Sequence, residues 1–340
     1  MKIAHLAKPW ISVPPTGYGG VERFMYDLSL WQSDSHDVHM YATGDSSLPA
    51  NITIHSTFDE QLGGKGLDRN FEAAQASDFA ITSIKNNSDV LHVHSVESFL
   101  AIAPHLQKKS VFTFYTDPTH ATKILSTLAE SYVEFTFVSQ QHRKQYPWIK
   151  NAHVIYQGIN VDQYPYSKKK KDYLAFVGSI ADKKGILEAI EISARANLQL
   201  KIGAKIKPQD TEFYEMKVKP VLERSNHVTY LGEINDNERN ELLMNAKALL
   251  FPIKWEEPFG GVQIESLVVG TPVIAFRRGA VSEVISDGKT GFIVDTIEEA
   301  VEAVGKLPQI NPADCRQHII ENFSIERSAR DFEKLYSSLI

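Results

Sequence analysis

Residues 246–276 read AKALLFPIKWEEPFGGVQIESLVVGTPVIAF. Ala246–Ile253 is short and apolar, as a strand buried on both faces is, and Thr271–Phe276 is a second such run. Between them lies a loop, then a short helical pattern closed by Gly270 at the position after its last turn. The unit is strand–loop–helix–strand, which places the loop at the C-terminal edge of a parallel sheet, where open α/β sheets bind ligands.

The same alternation runs outward in both directions. KIAHLA, DVHMYAT, DVLHVHS, SVFTFYT and VEFTFVS read as strands in the first half, and YLAFVGS, LQLKIGA, HVTYLGE and GFIVD join the two above in the second. Val21, Phe24, Met25, Leu28 and Trp31 recur at helical spacing, and Gly185–Ala196 reads as another helix. Thr296 and Glu299 form a plausible capping box for a further helix. The pattern predicts an α/β chain of two Rossmann-like, doubly wound domains. Pro165 and the four lysines 168–171 interrupt it, a composition typical of a solvated linker. The expected boundaries are 1–165, 166–320 and a final helix within 321–340.

Composition limits the function. The 340 residues carry a formal charge of −6, which argues against a nucleic-acid partner. Cys315 is the only cysteine, so no internal disulfide can form and no structural zinc spacing exists. The N-terminal run is broken by His5, Lys8 and Pro9, and no stretch of about 18 apolar residues occurs. A cytoplasmic protein is expected, without predicted membrane contact.

The loop carries the chemistry. Gly260 and Gly261 stand at a helix start, where free amides attract a phosphate and missing side chains permit close approach. Glu265 lies one turn into that helix and leans back toward its N-terminus, while Glu257 precedes it and Pro258 stiffens the link. Taken singly, Glu265 would merely favour the helix dipole and Glu257 would be a surface residue. Taken together, two carboxylates flanking phosphate-binding amides suit a ligand with hydroxyls at both ends and phosphates between, a nucleotide sugar. In the first half, strand alternation puts His92 and His94 on one face, with His94 nearer the ligand-binding edge and His92 read as a core histidine. Tyr115 ends the neighbouring strand run, and Asp117 and His120 on the loop after it could orient a ligand hydroxyl. His94, Asp117 and His120 could in principle hold a metal, but the ligands would come from two separate loops, and no metal is expected.

The stretch from Ala248 to Asp295 closely resembles the donor-binding core of the retaining glycosyltransferases of family 4, whose signature is two glutamates separated by seven residues. PPTGYGGVERF resembles the family's N-terminal glycine loop, and FSIERSARDFEKLYSSL its C-terminal helix, which returns to the first domain. The resemblance implies the GT-B fold, with two domains facing across a cleft that holds the donor. It implies Glu265 on ribose, Glu257 on the transferred sugar, and Phe259, Gly260, Gly261 and Val262 giving amides to the donor, with Gly19 and Gly20 approaching it from the first domain. It also implies Lys184 on the diphosphate and His94 near the acceptor, with neither metal nor cofactor, and no Asp-x-Asp occurs in the chain. Two positions depart from the pattern: Ser179 stands where an Arg is usual, and Tyr115 where many members have His. Lys183, Arg277 and Arg278 are possible substitutes for the missing charge.

The expected activity is retaining, metal-independent transfer from a UDP-sugar, with a GDP-sugar second, to an unidentified hydroxyl acceptor. Two alternatives stay open: a GT-B phosphorylase, and a nucleotide-sugar-binding protein without catalysis.

Overall fold

A computed structural model describes residues 1–17, 19–63, 69–102, 110–116 and 133–340. The chain divides into two units: 1–158 together with 325–340, and 159–324. The first break falls seven residues before the expected boundary at Pro165, and the second four residues after residue 320.

In the first unit the strands are β1 (Lys2–Leu6), β2 (Asp37–Tyr41), β3 (Ile52–His55), β4 (Val90–Val93), β5 (Ser110–Phe114), β6 (Val133–Phe137) and β7 (Ala152–Val154). They form one sheet in the order β3-β2-β1-β4-β5-β6-β7. Every pair is parallel. The chain moves outward from β1 to one edge and then returns to build on β4, so the direction of winding reverses between β1 and β4. His5 on β1 lies directly opposite His92 on β4.

Helices cover both faces. Gly20–Gln32 buries Phe24, Met25 and Leu28, as their spacing predicts. The helix Ile325–Ser337 buries Ile325, Ser328, Ala329, Phe332, Leu335 and Tyr336, an i, i+3, i+4, i+7 stripe. That stripe packs on Ile3, Phe24, Leu28, Val90 and Val111. Each fully buried apolar side chain there contributes about 1.5–3 kcal/mol, enough to tie the end of the chain to this unit.

The second unit holds β8 (Tyr173–Ser179), β9 (Gln199–Lys205), β10 (Val228–Tyr230), β11 (Ala248–Phe251), β12 (Val273–Phe276) and β13 (Gly291–Val294). Their order is β10-β9-β8-β11-β12-β13, again with all pairs parallel and a reversal between β8 and β11. Its core is mainly aliphatic, from Leu174 through Ile190, Ile202 and Leu250 to Ile274, with Phe176 among them. No described helix is long and apolar enough to cross a membrane.

Two local expectations change. The Thr296 hydroxyl accepts from Glu299 N–H, but the Glu299 carboxylate returns to Asp295 N–H, one residue before the cap. The lysine run is not all solvated: Lys170 Nζ donates to Thr271 Oγ1 at 2.7 Å, Met244 O at 2.9 Å and Val269 O at 3.4 Å. Burial pushes that ammonium down to about 8. Three polar acceptors offset the desolvation, so one lysine anchors the segment that its neighbours solvate.

Candidate active site

In the second unit the reversal between β8 and β11 brings two loops together, 180–185 and 252–261. Lys254 N–H donates to Lys183 O at 2.9 Å across them. Gly185 sits at φ 74, and a Cβ there would lie 1.9 Å from Pro252 O. Only glycine permits this approach, and it fixes where the preceding lysine emerges.

Lys184 Nζ forms an ion pair with Glu257 Oε2. Trp255 Nε1–H donates to the same oxygen at 2.9 Å. Among the described residues, Glu257 Oε1 receives no side-chain bond, so one oxygen is held and the other presented. Lys183 Nζ lies 3.8 Å from the centre of the Trp255 ring and Lys184 Nζ 5.3 Å, so one indole faces both ammonium groups. The backbone of Glu257 is fixed as well, since its carbonyl accepts from Ala280 N–H at 3.0 Å.

The helix after the glycine pair spans Val262–Val268, with Gly261 at its cap. Phe259 is buried, whereas an added Cβ on Gly261 would meet nothing within 4 Å. Open space therefore lies beside the Gly261 backbone. Glu265 N–H donates to Gly261 O at 3.1 Å, which puts its carboxylate one turn in, as predicted. That carboxylate lies 3.5 Å from Arg239 Nε, and Arg239 Nη1 is 2.8 Å from Asp236 Oδ1. Arg239 is 8% exposed, so it touches Glu265 from inside the fold.

Ser179 is 2% exposed at the end of β8 and brings no charge. Of the expected substitutes, Arg277 pairs with Asp295 at 3.3 Å and Arg278 Nη1 donates to Arg277 O, while Lys183 reaches Trp255. A further cation was not read from the sequence. Lys207 follows β9, whose Lys205 pairs with Ser179 across the sheet. Burial lowers its ammonium first, and the positive charges of Lys184 and Lys183 lower it further, opposed by Asp210 and Glu257. Three lysines thus share the field at these strand ends. Arg239 and Lys207 were missed because each acts on residues distant in sequence, and only the strand adjacency of β8 and β9 could have flagged Lys207. Trp255 was missed although it lies two residues from Glu257, because its contact with Lys183 and Lys184 comes from another loop.

The first unit offers a different chemistry. His92 is a core histidine, as expected: Nδ1 meets Tyr336 OH at 2.5 Å and Nε2 meets Thr113 Oγ1 at 2.7 Å. His94 is 3% exposed, with Nε2 3.1 Å from His5 Nδ1 and Nδ1 2.8 Å from Tyr115 OH. Its ring is enclosed, with His5 and Tyr115 on its two nitrogens. His5 was missed, because its role depends on lying beside β4. Among the described residues, His5, His92 and His94 are the group whose ligand atoms lie within 4.8 Å of one another. All six ring nitrogens already have protein partners, so a metal there would have to break that network. Burial holds all three imidazoles below their usual range, His5 at about 4. Gly19 is extended at φ 175 and Gly20 opens the helix. Asp117 and His120 lie outside the described residues.

Two parallel, doubly wound units of this kind make the α/β fold of the GT-B glycosyltransferases. The pattern of the family "Glycosyl transferases group 1" matches residues 162–323, and that of "Glycosyltransferase Family 4" matches residues 18–163. The chain belongs to the glycosyltransferases of family 4. It is 24% identical over 310 residues to N-acetyl-alpha-D-glucosaminyl L-malate synthase of Bacillus anthracis, spanning 79% of this chain and 80% of that one. Its fold is similar to that of sucrose-phosphate synthase from Thermosynechococcus elongatus, with a TM-score of 0.80, 17% identity and coverage of 99% of this chain and 98% of that chain. It is also similar to Anabaena HepE in complex with UDP and glucose, with a TM-score of 0.77, 16% identity and full coverage of both chains.

Proposed function

We propose that this glycosyltransferase takes a sugar from a nucleotide diphosphate sugar, a UDP-sugar first, and passes it to an acceptor hydroxyl with retention and without a metal. One observation carries the reading: Lys184 and Trp255 hold one oxygen of Glu257 at the strand ends that also carry the Gly260–Gly261 turn. A carboxylate so held offers its other oxygen to sugar hydroxyls, and Lys184 stands where a leaving diphosphate gathers charge. Glu265 takes the ribose. The amides of 259–262 take phosphate and sugar oxygens.

In this mechanism the acceptor attacks on the face the leaving group departs, and the leaving phosphate receives the acceptor proton. No side-chain base is needed. Glu257 and Glu265 therefore do not act as a glycosidase pair, in which two carboxyls flank the scissile bond. The choice of UDP is supported by the presence of UDP in the HepE structure.

Thermal shift with UDP-, GDP- and ADP-glucose tests the donor, because only a ligand of the folded state raises the midpoint. The product anomer, read by NMR before mutarotation and repeated in EDTA, tests retention and metal independence. An inverted product or loss of turnover in EDTA overturns those parts. Ser179, buried and uncharged, favours a second reading: a nucleotide-sugar-binding protein without transfer. That protein would show the thermal shift and no product.

A further inference from the structure

The Tyr115 hydroxyl ends a chain of three hydrogen bonds inside the first unit. It meets His94 Nδ1 at 2.8 Å, His94 Nε2 meets His5 Nδ1 at 3.1 Å, and His5 Nε2 meets Gln32 Oε1 at 2.8 Å. Gln32 and His5 are fully buried and His94 nearly so. Tyr115 is partly buried, and the other three members are buried.

A neutral imidazole has one donor and one acceptor nitrogen, so a chain of them has a direction. An amide oxygen only accepts. Facing Gln32 Oε1, His5 must carry its proton on Nε2, which leaves Nδ1 to accept. His94 then donates from Nε2 and accepts at Nδ1, and the only hydrogen left for that bond is the phenol's. Were the amide reversed, every bond would reverse and Tyr115 would receive a hydrogen in place of giving one.

Which way the amide lies is therefore decisive: Oε1 is the atom 2.8 Å from His5 Nε2, and that bond sets the direction of the chain.

We infer that Gln32, through His5 and His94, positions the Tyr115 hydroxyl so that its hydrogen is committed to the protein and its oxygen accepts a hydrogen bond from the hydroxyl to be glycosylated. The inference rests on the proposed transferase reading, with the first unit on the acceptor side. Gln32, His5 and His94 are positioning residues, and Tyr115 is the one that touches the acceptor. An acceptor hydroxyl that donates to Tyr115 turns its own lone pair toward the sugar, the orientation that attack requires.

The direction of the chain is measurable without any ligand. In 15N-labelled protein, long-range proton–nitrogen spectra at neutral pH should show His5 and His94 both neutral and protonated on Nε2, assigned with His5→Asn. Protonation of both on Nδ1 overturns the inference. Gln32→Leu should mix the tautomers and Gln32→Glu, which keeps an acceptor, should restore them. If Gln32→Leu fails to fold, the wild-type spectrum still decides the direction. Tyr115→Phe should lower kcat for slow transfer from UDP-glucose to water about tenfold or more, with KM for UDP-glucose within twofold. Unchanged kcat with the expected tautomers overturns the role of Tyr115. Wild-type protein that turns over none of UDP-, GDP- and ADP-glucose sinks the transferase reading itself, and with it the role of Tyr115, whatever the tautomers.

Discussion

Lys184→Ala removes an ammonium that does two things in the proposed site: it faces the leaving diphosphate and it holds Glu257. The side chains of the pair are 19% and 12% exposed, so the bond is partly shielded from water and salt. Loss of one donor to developing charge costs roughly 2.7–4 kcal/mol, about 100- to 1000-fold in kcat. Glu257→Gln keeps the shape and an acceptor for Trp255 Nε1–H while removing the charge. The two residues touch, so their effects should not add. The double variant should fall short of the summed penalties by about 0.5–3 kcal/mol, between about twofold and roughly 100-fold in rate. The assay is kcat/KM for donor turnover in the four proteins, converted to transition-state free energies. Unchanged kinetics in Lys184→Ala, or strict additivity in the double variant, refutes the reasoning.

Gly279 sits at φ 54, and a Cβ there would lie 2.2 Å from Glu257 O. Gly279→Ala should lower stability by roughly 1–3 kcal/mol, seen as a lower urea midpoint, and should reduce turnover with it. Burial holds His5 and His142 at about 4 in the folded protein, below the ordinary 6.5. The unfolded chain then binds more protons, so this stability is full above about pH 6.5 and is lost as pH falls toward 4. The unfolding free energy from urea titration should drop over that range with a slope near 1.4 kcal/mol per pH unit for each such histidine, and a flat profile would count against their burial as neutral groups. Arg239→Leu leaves Glu265 without its inner partner. Calorimetry should find UDP bound about tenfold more weakly, with little change for a 2′,3′-dideoxy analogue; equal losses for both would contradict the assignment of Glu265 to ribose.

How much of this was legible depends on how far apart the interacting residues lie. Buried parallel strands are continuous apolar runs, so β1, β2, β4–β6, β8, β9 and β11–β13 stood out, and the edge strand β10 was read as well, within HVTYLGE. The edge strands β3 and β7, short and partly exposed, were not. The helix Arg69–Lys85 escaped for another reason. Its buried face includes Glu72, Gln75, Ala76, Phe79 and Ser83, so helical spacing is present but largely without apolar residues to mark it. Glu72 and Gln75 are buried because they find partners: Trp10 donates to Glu72, and Gln75 Nε2 to Ala7 O and Tyr41 O.

The sequence by itself determined the two α/β units, the strand-end loop with its paired carboxylates and glycines, and the lysine just before the helix after β8. Those are local features, written in periodicity and spacing over a few turns of chain. Only the tertiary structure decided what each group touches: Lys184 on one oxygen of Glu257, Arg239 behind Glu265, and Gln32 and His5 behind His94. The physical reason is the crossover. In a doubly wound sheet the strands that lie side by side at the reversal, β1 with β4 and β8 with β11, are far apart in the chain. The partners of a residue there are set by register and burial, to which sequence spacing is blind.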